Sequence, residues 1–197
     1  MHQYKEISKN SSGKYKEKNS KFVSFAIKTE SIKEVKNNLL IIKKKYKADH
    51  YCYAYVLGRD KSIMFSNDDG EPKSSAGKPI LGQIISADLT NILIVVLRYY
   101  GGIKLGFSGL QKAYKLATKN VLSNLEIINK KNKENIKVKF NYSEINSVMK
   151  IIKDYNLDII SKTIENECKI IFACNTEDFE TIISKISQNN KVLIEKK

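Results

Sequence analysis

The sequence predicts an α+β protein of two domains, an α/β layer domain followed by a smaller ferredoxin-like domain with the element order βαββαβ. Three observations carry this. Between residues 20 and 128, short β-branched and aromatic runs alternate with stretches of helical periodicity. A polar, charged stretch at 129–135 then reads as a linker, and beyond it, at 136–197, strand and helix signals recur as a compact duplicated unit.

Taken in order, residues 1–19 are polar and lysine-rich and read as a mobile basic arm. Phe22 to Ile27 is the first strand expected. From Ser31 the apolar residues Ile32, Val35, Leu39, Ile42 and Tyr46 fall at helical spacing, with Glu34 completing a capping box and Lys43 to Lys45 at the negative end of the helix dipole. His50 to Leu57 and Ile63 to Phe65 are strands around a Gly58–Asp60 turn. Pro79 can open a helix that runs to Asp88. Asn91 to Leu97 is continuously apolar, as in a strand buried on both faces. Ser108 can cap a helix with Leu110, Ala113, Tyr114, Ala117 and Val121 on its apolar face. In the second domain, strands are expected at 136–142, 158–164, 168–173 and 191–195. Helices are expected around Ile145 to Ile152 and Phe179 to Ile186.

Composition narrows the function classes. No run approaches the roughly 18 apolar residues of a membrane span, and the lysine-rich start lacks the apolar centre of a secretory signal. Cys52, Cys168 and Cys174 are odd in number and form no CxxC pair, which disfavours disulfides and structural zinc and makes a reducing cytoplasm the expected setting. The net charge is +14, from 35 basic and 21 acidic residues. All the basic residues except Arg59 and Arg98 are lysine, a bias that an AT-rich genome could impose without any partner. The surplus is nevertheless largest over residues 1–50, and such a field draws polyanions in a salt-sensitive way.

Three segments carry candidate chemistry. Gly101 to Gly106 lies between a buried strand and a helix, where phosphate-cradling loops sit, but Phe107 stands where a P-loop needs lysine. Gly101, Gly102 and Gly106 either permit a tight turn or let the backbone approach a nucleic-acid phosphate, with Lys104 as a second contact. Arg98, Tyr99 and Tyr100 precede it, a guanidinium beside two rings as used on single-stranded nucleic acid. Alternation puts at least one tyrosine inward, and Arg98 either meets phosphate or pairs with a carboxylate of the 68–71 loop. Asp68, Asp69 and Glu71 could hold a divalent metal or divide acid and base roles; the alternative is a solvated turn bonding backbone amides or Arg98. His50 could act as a base, but the other histidine, His2, lies in the arm. No catalytic residue, metal or cofactor is assigned.

The blocks Ser66-Asn-Asp-Asp-Gly-Glu-Pro72, Ser75-Ala-Gly-Lys-Pro-Ile-Leu81 and Val95-Val-Leu-Arg-Tyr-Tyr-Gly-Gly-Ile-Lys-Leu-Gly106 resemble the signature of the IMPACT/YigZ family, with Ser20-Lys-Phe22 and Tyr53-Ala-Tyr55 in keeping. The resemblance covers roughly Ser20 to Leu122. It implies an N-terminal domain like the second domain of a small-subunit ribosomal protein. It also implies a C-terminal ferredoxin-like domain like the fifth domain of elongation factor G. The resemblance further implies a link to translational control, since the family's eukaryotic members act there through a partner of an initiation-factor kinase and carry a different accessory domain with no counterpart here; for bacterial members, RNA or ribosome binding is the usual inference. The expected function is thus a cytoplasmic, non-catalytic RNA- or ribosome-associated protein. Arg98 and Lys104 are expected on phosphates, with Tyr99 or Tyr100 stacking. The alternatives are a hydrolase or other small-molecule enzyme built on Asp68, Asp69 and Glu71, and a module that docks a translation-factor protein.

Overall fold

A computed structural model describes residues 3–195; Met1 and His2 of the expected arm, and Lys196 and Lys197, lie outside the described residues. The fold is mixed α and β, with several sheets, and the chain divides into two compact units, Tyr4–Lys130 and a second made of the residues from Lys131 onward together with Gln3.

The first unit contains β1 (Gln3–Ile7), β2 (Ser11–Glu17), β3 (Ser20–Lys28), α1 (Ile32–Lys45), β4 (His50–Leu57), β5 (Ile63–Asn67), α2 (Gly77–Ser86), β6 (Ile92–Tyr99), α3 (Gly106–Ser123) and β7 (Ile127–Lys131). Five strands form an antiparallel sheet in the order β2-β3-β6-β4-β5. Its central strand explains the layering. Ile92, Ile94 and Val96 of β6 face α2 and α3, packing with Phe22, Ile80, Ile84, Leu110, Tyr114 and Val121. Leu93, Val95 and Leu97 alternate to the other face and pack beneath Val35 and Ile42 of α1. All six are fully buried, which is why β6 reads as a continuous apolar run.

α1 starts as its sequence dictates. The Ser31 hydroxyl accepts from the Glu34 amide at 3.3 Å, and the Glu34 carboxylate accepts from the Glu30 amide at 2.9 Å. α2 begins at Gly77, two residues before Pro79, because the Asp68 side chain supplies the cap from outside the helix. α3 begins at Gly106 rather than behind a Ser108 cap, with Leu105 at the cap position.

The arm expected at 1–19 is corrected for its described residues, which form two strands. β2 pairs with β3 from Ser11↔Ala26 to Glu17↔Ser20. β1 buries Ile7 fully, and Glu6 is 1% exposed. Burial alone would raise the Glu6 pKa, but Lys130, Asn91 and Lys28 around it hold it below the usual carboxylate range. The expected linker at 129–135 is likewise taken up by strands. β7 joins β1 in a two-stranded sheet, and β8 (Lys133–Asn141) opens the second unit.

After β8 come a single 3-10 turn (Tyr142–Glu144), α4 (Ile145–Asp154), β9 (Asp158–Thr163), β10 (Glu167–Asn175), α5 (Phe179–Ser187) and β11 (Val192–Glu195). The sheet is antiparallel in the order β11-β8-β10-β9. One face carries the core, Ile136, Val138, Phe140, Ile170 and Phe172 against Val148, Ile152, Ile182 and Ile186. The other is polar. There Lys137 and Lys139 both pair with Glu195, which pulls its carboxyl down to about 2.

Candidate functional site

The segment between β5 and α2 is built by its carboxylates. Asp68 accepts from the amides of Ser74 (2.8 Å), Ala76 (3.0 Å) and Gly77 (2.8 Å), so one side chain closes the loop and satisfies the orphan donors at the start of α2. Burial would raise the Asp68 pKa; the three amides and Lys78 outweigh it and set it below its ordinary value. Asp69, with a positive φ of 43°, accepts from the Tyr51 amide at 2.8 Å and pairs with Lys43 at 3.2 Å. Glu71 is 8% exposed and accepts from Arg98 Nη1 at 2.7 Å and from the Tyr114 hydroxyl at 2.8 Å. Beneath it, the Cys52 thiol donates to the Asp68 carbonyl oxygen, and burial pushes that thiol's pKa up. Of the two readings of this loop, the one in which the carboxylates bond backbone amides and Arg98 agrees with the geometry. Among the described residues no group of three or more His, Cys, Asp or Glu side chains is arranged to hold a metal ion.

Arg98 requires a correction. The residue expected on phosphate is 5% exposed and committed inward, to Glu71 and, at 3.4 Å, to the Ser20 hydroxyl. Its guanidinium lies over the rings of Phe22 and Tyr100, at 5.9 and 5.3 Å. Only Nε lacks a partner among the described residues. Strand alternation separates the two tyrosines. Tyr99 packs on the α1 side of the sheet, where burial raises its hydroxyl pKa, whereas Tyr100 is 46% exposed. Tyr100 is therefore the ring of the pair that can stack on a ligand.

The glycine loop follows from close packing and turn geometry. A Cβ on Gly101 would fall 2.1 Å from the backbone carbonyl group of Asn19, so only glycine fits there. Gly102 and Gly106 have open space around them but positive φ values of 81° and 70°. The loop delivers the chain to α3, whose first turn has no side-chain cap. Its last residues, Lys104 to Phe107, border an open cavity of about 420 Å³ that His50, Glu71, Arg98 and Tyr100 also line. His50 Nδ1 lies 2.9 Å from the Asp69 carbonyl oxygen, which can only accept, so Nδ1 carries the proton and Nε2 is left over. Lys104 is exposed and makes no ion pair among the described residues. Phe107 and Ile103 are 50% and 43% exposed.

The sequence-predicted residues His50, Arg98, Tyr100, Gly106, Lys104 and Glu71 thus converge on one cavity, while Asp68 and Asp69 brace it from outside and Tyr99 points away. Sequence reasoning missed Phe107 as a site residue and Tyr114 as the buried partner of Glu71. Phe107 was visible only as the residue displacing a P-loop lysine, and Tyr114 only as an apolar helix position.

The family model for the Impact N-terminal domain matches residues 18–122. An IMPACT family member of Haemophilus influenzae is 30% identical over 176 residues, covering 88% of this chain and 85% of that protein. IMPACT family member YvyE of Bacillus subtilis is 36% identical over 113 residues, and YigZ of Escherichia coli 39% over 100. The chain spans about half the length of each of these two, 52% and 49%. A solved structure described only as a hypothetical protein aligns with a TM-score of 0.75, at 25% identity, over 98% of this chain and 97% of its own. The family model over four of the five strands of the sheet and the glycine loop, together with a relative matched over 88% of the chain, establishes that this chain belongs to the IMPACT family.

Proposed function

We propose that this chain is a non-catalytic RNA- or ribosome-associated protein acting in translation or its regulation, and that the 100–107 loop is its contact. The observation that carries the reading is the juxtaposition of two exposed rings, Tyr100 and Phe107, with Lys104, which has no ion pair among the described residues, and the uncapped first turn of α3 around one cavity. Rings stack on bases, and a lysine beside backbone amides answers a phosphate. The order β11-β8-β10-β9 with its two helices supports the ferredoxin-like description and, through the family resemblance, a likeness to the fifth domain of elongation factor G. The same resemblance supports a likeness of the first unit to a ribosomal-protein second domain, and the link to translational control. Among the described residues no helix is long and apolar enough to cross a membrane.

Co-sedimentation with purified ribosomes across a salt series tests the reading. Binding should fall steeply with salt. Lys104→Ala should lower the log–log salt slope by about 1. Phe107→Ala should cost about 1–3 kcal/mol with the slope unchanged. Absence of wild-type binding at low salt would overturn the reading. Exposure of Ile103 and Phe107 also favours a second reading, docking of a translation-factor protein by the same loop. That reading requires binding that survives nuclease treatment.

A further inference from the structure

We infer that the open groove between α2 and α3 is a track for the phosphate backbone of RNA, extending the loop contact proposed above and resting on that reading. The groove, about 790 Å³, is lined by Lys78, Gly82, Ser86, Ser108, Lys112 and Lys115, among others. It neighbours the loop cavity, since Phe107 lines the cavity and Ser108, the next residue, lines the groove.

Charge is the first observation. Neither α2 nor α3 contains an aspartate or glutamate, and Lys78, Lys112 and Lys115 are exposed without an ion pair among the described residues. Elsewhere acidic side chains answer many of the lysines, as Glu195 answers Lys137 and Lys139, and Asp88 answers Lys5 and Lys61. Spacing is the second. Lys112 and Lys115, which line the groove, stand about 4.5 Å apart in rise on one face of α3, and Lys119 continues that face beyond it. A nucleic-acid strand sets one phosphate per roughly 3.4 Å of axis, a repeat of the same order.

Gly82 is the third. It sits within α2, where glycine weakens a helix relative to alanine, yet a Cβ there would meet nothing within 4 Å. No packing constraint in the fold calls for it. Its missing side chain instead lowers the wall of the groove, so a backbone can approach the helix closely. Gln111, which bonds the Ser74 carbonyl oxygen at 3.3 Å, ties the far wall to the loop that Asp68 braces. The lysines therefore project from a fixed frame.

The test uses the full chain and a short fluorescein-labelled single-stranded RNA, followed by anisotropy between about 50 and 200 mM salt. Lys78→Ala/Lys112→Ala/Lys115→Ala should flatten the log–log salt slope by about 2, three contacts at about 0.7 each. The control Lys33→Ala/Lys36→Ala/Lys44→Ala removes the same charge from the exposed face of α1 and should leave the slope unchanged. Gly82→Ala should raise the melting temperature while weakening RNA binding, a divergence that a purely structural glycine would not give. Equal effects of the two triple variants would mean that only net charge matters and would overturn the groove. Wild-type binding untouched by the groove variant would overturn the groove and spare the loop. Absence of wild-type binding at low salt would remove both.

Discussion

Replacing Arg98 by methionine separates a structural arginine from a ligand-binding one. Arg98 and Glu71 side chains are 7% and 3% exposed and bonded at 2.7 Å, so methionine would leave a carboxylate uncompensated in the interior. Breaking a buried pair from one side costs about 3–5 kcal/mol. Loss of the cation over Phe22 and Tyr100 adds roughly 0.5–1 kcal/mol. Against this, the Tyr114 hydroxyl still donates to Glu71, so Arg98→Met should destabilise by about 4 kcal/mol. The decisive variant adds Glu71→Gln. Its amide oxygen can still accept from Tyr114 but carries no charge to strand, so the double variant should be more stable than Arg98→Met alone by about 2 kcal/mol. Urea unfolding followed by the methyl NMR signals of Ile94 and Val96 reads the first unit, where a whole-chain probe would mix two transitions. If the double variant is no more stable than the single one, Glu71 is not a charge that Arg98 compensates, and the internal-pair account is wrong.

The brace around the site gives two further expectations, read by the same unfolding assay. Asp68→Ala removes an acceptor for three backbone amides and should cost roughly 3 kcal/mol. Because the Asp68 pKa is depressed on folding, its contribution is complete above the unfolded value near 4 and is lost as pH falls through the folded value. Wild-type stability should therefore decline more steeply with acid than that of the variant. At the glycine loop, Gly101→Ala should cost more than Gly102→Ala. The first drives a Cβ to 2.1 Å from the Asn19 carbonyl group, whereas the second meets only a positive φ, worth about 1–2 kcal/mol. Equal costs would show that loop conformation, and not the approach of Asn19, selects glycine at both positions.

Elements whose burial is apolar were legible in the sequence, and those whose burial is polar or backbone-mediated were not. β6 announced itself through six consecutive buried aliphatics. β2 did not, because an edge strand needs little apolar signal. Its inward position Gly13 packs without a side chain, a Cβ there falling 2.4 Å from Asn120 Oδ1 and 3.2 Å from Val121 of α3. Tyr15 is the one large apolar contact the strand makes with that core. β1 was hidden for a different reason, since its buried Glu6 is neutralised by Lys28 and Lys130, residues far away in sequence. In the candidate site the motif residues were recognised as a set, but not their directions. Whether Arg98 faces a ligand or Glu71 depends on the depth of β6 in the sheet, which local sequence does not encode.

The location of the lysines bears on whether the +14 charge is composition or selection. A mutational bias adds lysine wherever surface tolerates it, without regard to the acids around it. In the second unit Lys131, Lys137, Lys139, Lys169 and Lys191 each lie within 4 Å of a carboxylate, so much of their field cancels within a Debye length of about 8 Å. The α2–α3 face has lysines and no acids on either helix; Asp68 of the neighbouring loop offsets part of the Lys78 charge, whereas Lys112 and Lys115 of α3 have no ion pair among the described residues and present their charge to an approaching polyanion. The exposed face of α1 also bears lysines, but it carries Glu34 and the bare side chains of Leu40 and Ile41, 58% and 61% exposed, which offer a phosphate nothing. Bias alone would make these two basic faces equivalent to RNA. The glycine at 82, the hydroxyl of Ser108 and the adjoining Tyr100–Phe107 cavity belong to only one of them, so it is asymmetry between the faces, and not the size of the net charge, that argues for a bound nucleic acid.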